Sequence, residues 1–338
     1  MRALRFTDTV HLDPAVPIPG GGAEALVKVI AAGICNTDLE IIKGYAGFRG
    51  TIGHEFVGMV VNSPDHRLIG RRVAGEINAG CNHCELCRQG DPRHCVNRSV
   101  LGIKDRDGAF AEFLTLPDRN LIEVPDSLSD PEAVFIEPVA AACEILEQVK
   151  IEGESKVAVL GDGKLGQLVV RVLATTGCRL TVIGKHQHKL DLAAASGAAA
   201  TVRLAGQSGP PSGPAMAIEI LSATPEIQDS VHSFDVVIEA SGSPSGLEIA
   251  LALVRPRGIV VLKSTHHDRT SLNLSQVVVD EVTLVGSRCG RFEPAIHLLE
   301  SRAVRVDDLI SDSLPLDDWE TALAAASDPA SLKVILRM

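Results

Sequence analysis

The chain has 338 residues, 45% of them hydrophobic, with 32 Lys and Arg against 43 Asp and Glu, for a formal net charge of −11. That length allows two domains with a sizeable core, and the acidic balance argues against a nucleic-acid or anionic-membrane partner. No apolar run reaches the roughly 18 residues a membrane helix needs, and the opening MRALRFTDTV lacks a signal-peptide core, so a cytoplasmic protein is the expectation.

Residues 1 to about 125 read as β-rich: ALVKVIAAG, EFVGMVVNS, RRVAG and FAEFLTLP are short apolar runs between Gly, Pro and Asp turns. The pattern then changes. KVAVL (156–160) reads as a buried strand, KLGQLVVRVLATTG as a helix stopping at Gly177, and RLTVIG (179–184) as the next strand. HKLDLAAASGA is a second helix, with Lys189 expected on its exposed face; FDVVIEASG (234–242) is a strand, LEIALALVRPRG a helix and GIVVLKST (258–265) a strand. Alternation of strand and helix predicts an α/β fold with a doubly wound parallel sheet. The tail carries strands VTLVGSR and KVILRM and helices from about Pro294 to Glu300 and about Asp317 to Ala326; TVHLDPAVP near the N-terminus is a candidate partner for it. AGQSGPPSGPA (205–215) has the composition of a loop. The expected organisation is a β-rich domain over 1–130, an α/β nucleotide-binding domain over 131–275, and a segment 276–338 returning to the first.

Four of the eight cysteines, Cys81, Cys84, Cys87 and Cys95, lie within CNHCELCRQGDPRHC at spacing C-x2-C-x2-C-x7-C. Four thiolates close a tetrahedral zinc without leaving an open position, so residues 81–95 read as a structural metal lobe. His83 and His94 are then superfluous and face solvent. The remaining Cys143, Cys178 and Cys289 read as buried small hydrophobes.

A second donor set is dispersed: Cys35 in GICNTD, His54 and Glu55 in GHEFVG, and Glu137 in FIEPVA. Three such ligands leave a fourth position for water or substrate, as in a catalytic zinc. Asp38 is placed to accept the other imidazole N–H of His54. Each residue alone has an ordinary reading as packing or surface; their company carries the inference.

GDGKLG (161–166) is G-x-G-x-x-G between a strand and a helix, the context a dinucleotide loop requires. Gly161 permits the turn, Gly163 the approach of a pyrophosphate and Gly166 close packing, while Lys164 and Leu165 open the helix whose N-terminus faces phosphate. At the end of the second strand, where an acid would bind the ribose 2′-OH, stand Gly184, Lys185 and His186. A small residue beside a positive charge predicts preference for NADP over NAD.

G-H-E-x2-G, the four-cysteine lobe, E-P and G-x-G-x-x-G in this order resemble the zinc-dependent medium-chain dehydrogenase/reductases, the alcohol dehydrogenase superfamily, over essentially the whole chain. The E-P at Glu137 resembles the polyol, glucose and threonine dehydrogenase branch. The resemblance implies a GroES-like catalytic domain completed by the tail, with a Rossmann domain between, and two zincs per chain. Its catalytic zinc would fall to Cys35, His54 and Glu137, with Glu55 able to coordinate or exchange. Thr37 matches the hydroxyl that hands on the alcohol proton. Glu40 stands near the next relay step, where many members have His; Asn36 stands where some place a phosphate-contacting base.

The reading is a zinc-dependent oxidoreductase passing hydride between NADP(H) and an alcohol, polyol, sugar or carbonyl. Tyr45, Phe48 and Arg49 in GYAGFRG are substrate-side candidates, with a turn packed at the domain surface as the alternative. The small-molecule substrate would have a homo-oligomer, dimer or tetramer, as its host. The competing reading is an inactive zinc protein of the same fold, which would be expected to lack ligands or break the glycine loop.

Overall fold

The computed structural model describes residues 1–20, 22–204, 224, 230–265 and 274–338. The loop expected at 205–215 lies outside them. The chain divides into two compact units, Met1–Ala140 with Arg291–Met338, and Ala141–Gly290; these divisions come later in the chain than 130 and 275. The combination is of the α/β class: a β-rich unit completed by the tail and a unit built on a parallel sheet with helices between its strands.

In the first unit, β1 (Ala3–Phe6), β2 (Val10–Asp13) and β4 (Gly50–Thr51) form a small sheet with β1 in the middle. The N-terminal strands were candidates to pair with the tail; instead both edges of β1 are occupied by β2 and β4. The tail pairs with β3 (Ala25–Gly33), the ALVKVIAAG run. Ala25, Val27, Val29 and Ala31 alternate inward along it, the period-2 pattern of a strand with one face in the core.

One side of β3 pairs antiparallel with β5 (Glu55–Asn62), setting Gly33 opposite Glu55 and Ala32 opposite Phe56. Its other side takes the tail strand Lys333–Arg337, with Ile335 opposite Gly33, and β9 (Phe113–Leu116) further back along the strand. Strands β6 (Arg72–Gly75) and β10 (Leu121–Glu123) continue the sheet beyond β5, and Ile310–Pro315 continues it beyond the tail strand. The Cys35 end of β3 is thereby flanked by Glu55 and by residues 333–335.

The second unit is a six-stranded parallel sheet. Its order is β13 (Ala200–Arg203), β12 (Arg179–Gly184), β11 (Lys156–Leu160), β14 (Phe234–Glu239), β15 (Val254–Leu262), β16 (Thr283–Gly286). Renumbered within the unit this is 3-2-1-4-5-6, the doubly wound dinucleotide order. The predicted strands at 156, 179, 234 and 258 and the helices between them are present, but the last of these helices ends at Leu253, and residues 254–258, expected to finish it, already belong to β15, where Val254 pairs with Phe234. β13 has no counterpart among the predicted elements: four residues with only Val202 fully buried carry too short a pattern, and pairing with β12 defines the strand.

Candidate active site

Helix Asn36–Ile42 begins where β3 ends. Asp38 sits at its third position and accepts the N–H of the cap residue Cys35 at 2.8 Å, half of a capping box. The other carboxylate oxygen lies 3.1 Å from His54 Nδ1 and accepts the Gly53 N–H at 3.2 Å. One buried carboxylate therefore fixes both the helix start and the imidazole. With Nδ1–H donated to Asp38, Nε2 is left as the ligand atom. Burial alone would lower the His54 pKa, but Asp38 and Cys35 outweigh it and hold it well above the usual imidazole range. Gly53 is obligatory beside it: φ is +95°, and a Cβ would collide with the Phe110 ring.

Cys35, His54 and Glu55 come together as expected, with ligand atoms all within 4.8 Å of one another. Glu137 falls outside that set. It keeps a partly accessible edge, yet burial of its carboxyl pushes the pKa up to about 7, against the lowering influence of His54 and with the further raising influence of Glu55. A bound cation would offset that cost.

The residue missed by the sequence reading is Lys333. Its ammonium is ion-paired with Glu55 Oε2, and both side chains are buried, at 3% and 1% exposure. Burial would lower the Lys333 pKa, but Glu55 and Cys35 raise it. The ammonium also lies 5.6 Å from the centre of the Phe135 ring, within cation–π range. Room for the pair is made by Gly33, where a Cβ would collide with Glu55 Oε2 and come 2.8 Å from Val134 and 3.2 Å from the Lys333 stem. A lysine opening a strand of KVILRM carries no local sign of this partnership.

Thr37 Oγ1 lies 3.8 Å from Cys35 Sγ, beside the donor set. Glu40 is paired with Lys43 at 2.8 Å near the helix surface. The GYAGFRG candidates separate. Tyr45 is half-buried in a turn, and the Phe48 ring is buried against Gly50. The exposed Arg49 guanidinium reaches back to the Thr7 carbonyl and, at 2.5 Å, the Asp8 carboxylate. Arg49 thus ties its turn to the β1–β2 connection.

The sulfurs of Cys81, Cys84, Cys87 and Cys95 also converge within 4.8 Å, and no two of the eight cysteines are joined in a disulfide. The backbone N–H of His83 pulls the Cys81 thiol down to about 6, while burial pushes Cys87 up to about 11. Four such sulfurs cannot all ionise at this spacing without a cation, and zinc is the one their softness and number suit. His83 and His94 are exposed, bonded to the Cys81 carbonyl and to Asp91.

In the second unit Gly161 has φ +122°, and a Cβ would collide with the Ala240 carbonyl. A Cβ on Gly166 would strike the Gly161 carbonyl. Around Gly163, in contrast, nothing lies within 4 Å of that position, which leaves room for a phosphate at the start of helix Lys164–Ala174. Leu165 lies beside Lys164 in the first turn of that helix.

The reason for Gly184 differs from the one expected. A Cβ there would come 2.5 Å from Asp162 Oδ2, so the space left by the glycine is filled by the Asp162 carboxylate. That carboxylate accepts the N–H groups of Lys185 and His186 at 2.7 Å each, with the His186 ring 3.1 Å away. Burial would raise the Asp162 pKa, but the bonds from His186 and Lys185 hold it below the ordinary range. Lys189 is buried, with 4% of its surface exposed, rather than on the open helix face.

Residues 21–126 match the family model of the alcohol dehydrogenase GroES-like domain, and residues 165–301 that of the zinc-binding dehydrogenases. An L-threonine 3-dehydrogenase of Chromobacterium violaceum is 30% identical over 337 residues, which cover 95% of this chain and 94% of that one. A zinc-binding dehydrogenase of Sinorhizobium meliloti 1021, solved bound to NADP, is similar at TM-score 0.85 and 27% identity, covering 100% of this chain and 99% of that one. A short chain alcohol dehydrogenase of Escherichia coli CFT073, solved with NADH, is similar at 0.84 and 26%, with the same coverage. The chain therefore belongs to the zinc-dependent medium-chain dehydrogenase/reductases of the alcohol dehydrogenase superfamily, in the polyol and threonine dehydrogenase branch. It is an NAD(P)-dependent oxidoreductase acting on CH–OH groups. No described helix is long and apolar enough to cross a membrane.

Removing the Lys333 ammonium leaves Glu55 buried and uncompensated. Lys333→Met is expected to destabilise the metal-free protein by about 3–5 kcal/mol in urea unfolding, and Glu55→Gln in the same chain to recover most of the loss, because no lone charge then remains.

Proposed function

We propose that the first unit holds a catalytic zinc at Cys35, His54 and a carboxylate and a structural zinc at the four-cysteine lobe, and that the second unit binds NADP in preference to NAD. The substrate is an alcohol, polyol or sugar, or the corresponding carbonyl. The observation that carries the reading is the convergence of Cys35, His54 and Glu55 around an imidazole oriented by Asp38. Zinc bound there would supply Lewis acidity toward the substrate oxygen and make an alcohol easier to deprotonate.

The chain's own residues supply the rest. Asp38 keeps His54 in the tautomer that presents Nε2 outward. Lys333 holds Glu55, so the choice between Glu55 and Glu137 as third ligand becomes a competition between an ammonium and a metal for one carboxylate. Thr37, next to Cys35, takes the alcohol proton, and Glu40 can accept it if it leaves Lys43. Gly161, Gly163 and Gly166 would hold the dinucleotide, whose nicotinamide would supply the hydride donor or acceptor. The NADP preference rests on Lys185 at the end of the second strand, in a turn whose backbone Asp162 braces. Cysteines gathered for metal rather than joined in disulfides support a reducing, cytoplasmic setting, and a dimer or tetramer is the proposed assembly. Cys35, His54 and Glu55 converge and the three glycines of the loop are present, which supports an active enzyme over an inactive zinc protein.

Elemental analysis of purified protein is expected to give two zincs per chain; Cys35→Ser retains one and loses nicotinamide-linked turnover on a panel of alcohols, whereas a single zinc in the wild type would overturn the proposal. Thr37→Val should lower kcat about 10²- to 10⁴-fold with zinc content and dinucleotide binding unchanged. Below about 7 the Glu137 carboxyl is protonated in the metal-free protein, and a metal taking that oxygen must displace the proton. Zinc affinity in chelator competition should therefore weaken as pH falls below about 7 and be less pH-dependent in Glu137→Gln.

A further inference from the structure

We infer that Arg203, with Lys185, is the specificity determinant that recognises the cofactor's 2′-phosphate, while Asp162 is a positioning residue that shapes the turn between them. The inference rests on the NADP reading above and names the residues that would produce it.

Strands β12 and β13 are parallel neighbours, with Ile183 opposite Val202 and Gly184 opposite Arg203. Residues in register on adjacent strands project to the same face of a sheet, about 4.8 Å apart. Ile183 and Val202 share one core cluster with Leu160 and so define the inward direction at this end. Gly184 and Arg203 therefore face the other way. The direction of Gly184 is known independently, because a Cβ there would lie 2.6 Å from Asp162 Cβ and 2.7 Å from its Cγ. Asp162 belongs to the glycine turn, so Arg203 projects from the sheet on the side of that turn. Arg203 is exposed, while Val202 and Leu204 on either side are buried. Among the described residues its guanidinium has no ion-pair partner.

Asp162 is a negative charge beside Gly184, and it is spoken for. Its Oδ2 accepts two backbone N–H groups and its edge faces the His186 ring. It also lies where a β-carbon of residue 184 would be, closer to the backbone than the carboxylate of a Glu or Asp at 184 would reach. It thus braces the Lys185–His186 backbone, and Lys185 and Arg203 outnumber it. A guanidinium suits a phosphate because it can donate two parallel N–H bonds to it. A ribose 2′-OH offers no charge to meet it.

The test is fluorescence titration of the zinc-loaded, full-length protein with NADPH and with NADH, which needs no substrate. Wild type is expected to bind NADPH more tightly. Arg203→Gln should weaken NADPH about 10- to 100-fold while leaving NADH within about twofold, and Arg203→Lys should fall between. Competition by 2′,5′-ADP, but not by 5′-AMP, should weaken in parallel. Preference of the wild type for NADH would overturn the NADP reading and this inference together, as would binding of neither. A wild type that prefers NADPH with an unaffected Arg203→Gln, or one that loses both cofactors equally at an unchanged melting temperature, would overturn the assignment to Arg203 alone.

Discussion

The first unit is organised around a buried group of charges that must neutralise one another. Cys35, Glu55, Glu137, Asp38, His54 and Lys333 crowd the end of one strand, and most are shut away from water. Hydration lost by a buried ion costs several kcal/mol unless a partner of opposite charge replaces it. Lys333 provides one such partner and a zinc ion would provide another. The pairing of β3 with β5 on one side and the tail strand on the other is what lets these groups meet.

Glycines set the tolerance of both sites. Gly33 clears space for a carboxylate and an ammonium, Gly184 for a carboxylate, and Gly53 for an aromatic ring. In each case the missing β-carbon is replaced by another residue's functional or packing atoms. The buried charge cluster and the glycine turn thereby share one design: polar groups brought closer to backbone than any side chain at that position would allow. Asp38 extends the economy, since the carboxylate that caps a helix also orients an imidazole.

In the glycine turn the space left by Gly184 is taken by another residue. Gly184 invites the inference of an open, acid-free ribose end, because the sequence motif compares only the residue at one position. The structure supplies a carboxylate from residue 162 and an arginine from residue 203, each placed by contacts across strands.

What could be read from sequence was local. The cysteine lobe lies within 15 residues, the glycine loop within six, and the strand and helix order follows from hydrophobic period; these depend on neighbours along the chain. Cys35, His54, Glu55 and Glu137 could be read as donor types in telling contexts, and Asp38 through its closeness to Cys35, but only the structure shows that Glu55 rather than Glu137 joins Cys35 and His54. Tertiary structure alone decided that Lys333 neutralises Glu55 across 278 residues, that Asp162 fills the space of Gly184, that Arg203 stands beside it, and that the tail pairs with β3 rather than with the N-terminal strands. Strand register and buried electrostatics are properties of which segments meet, and a residue's type does not encode its partner.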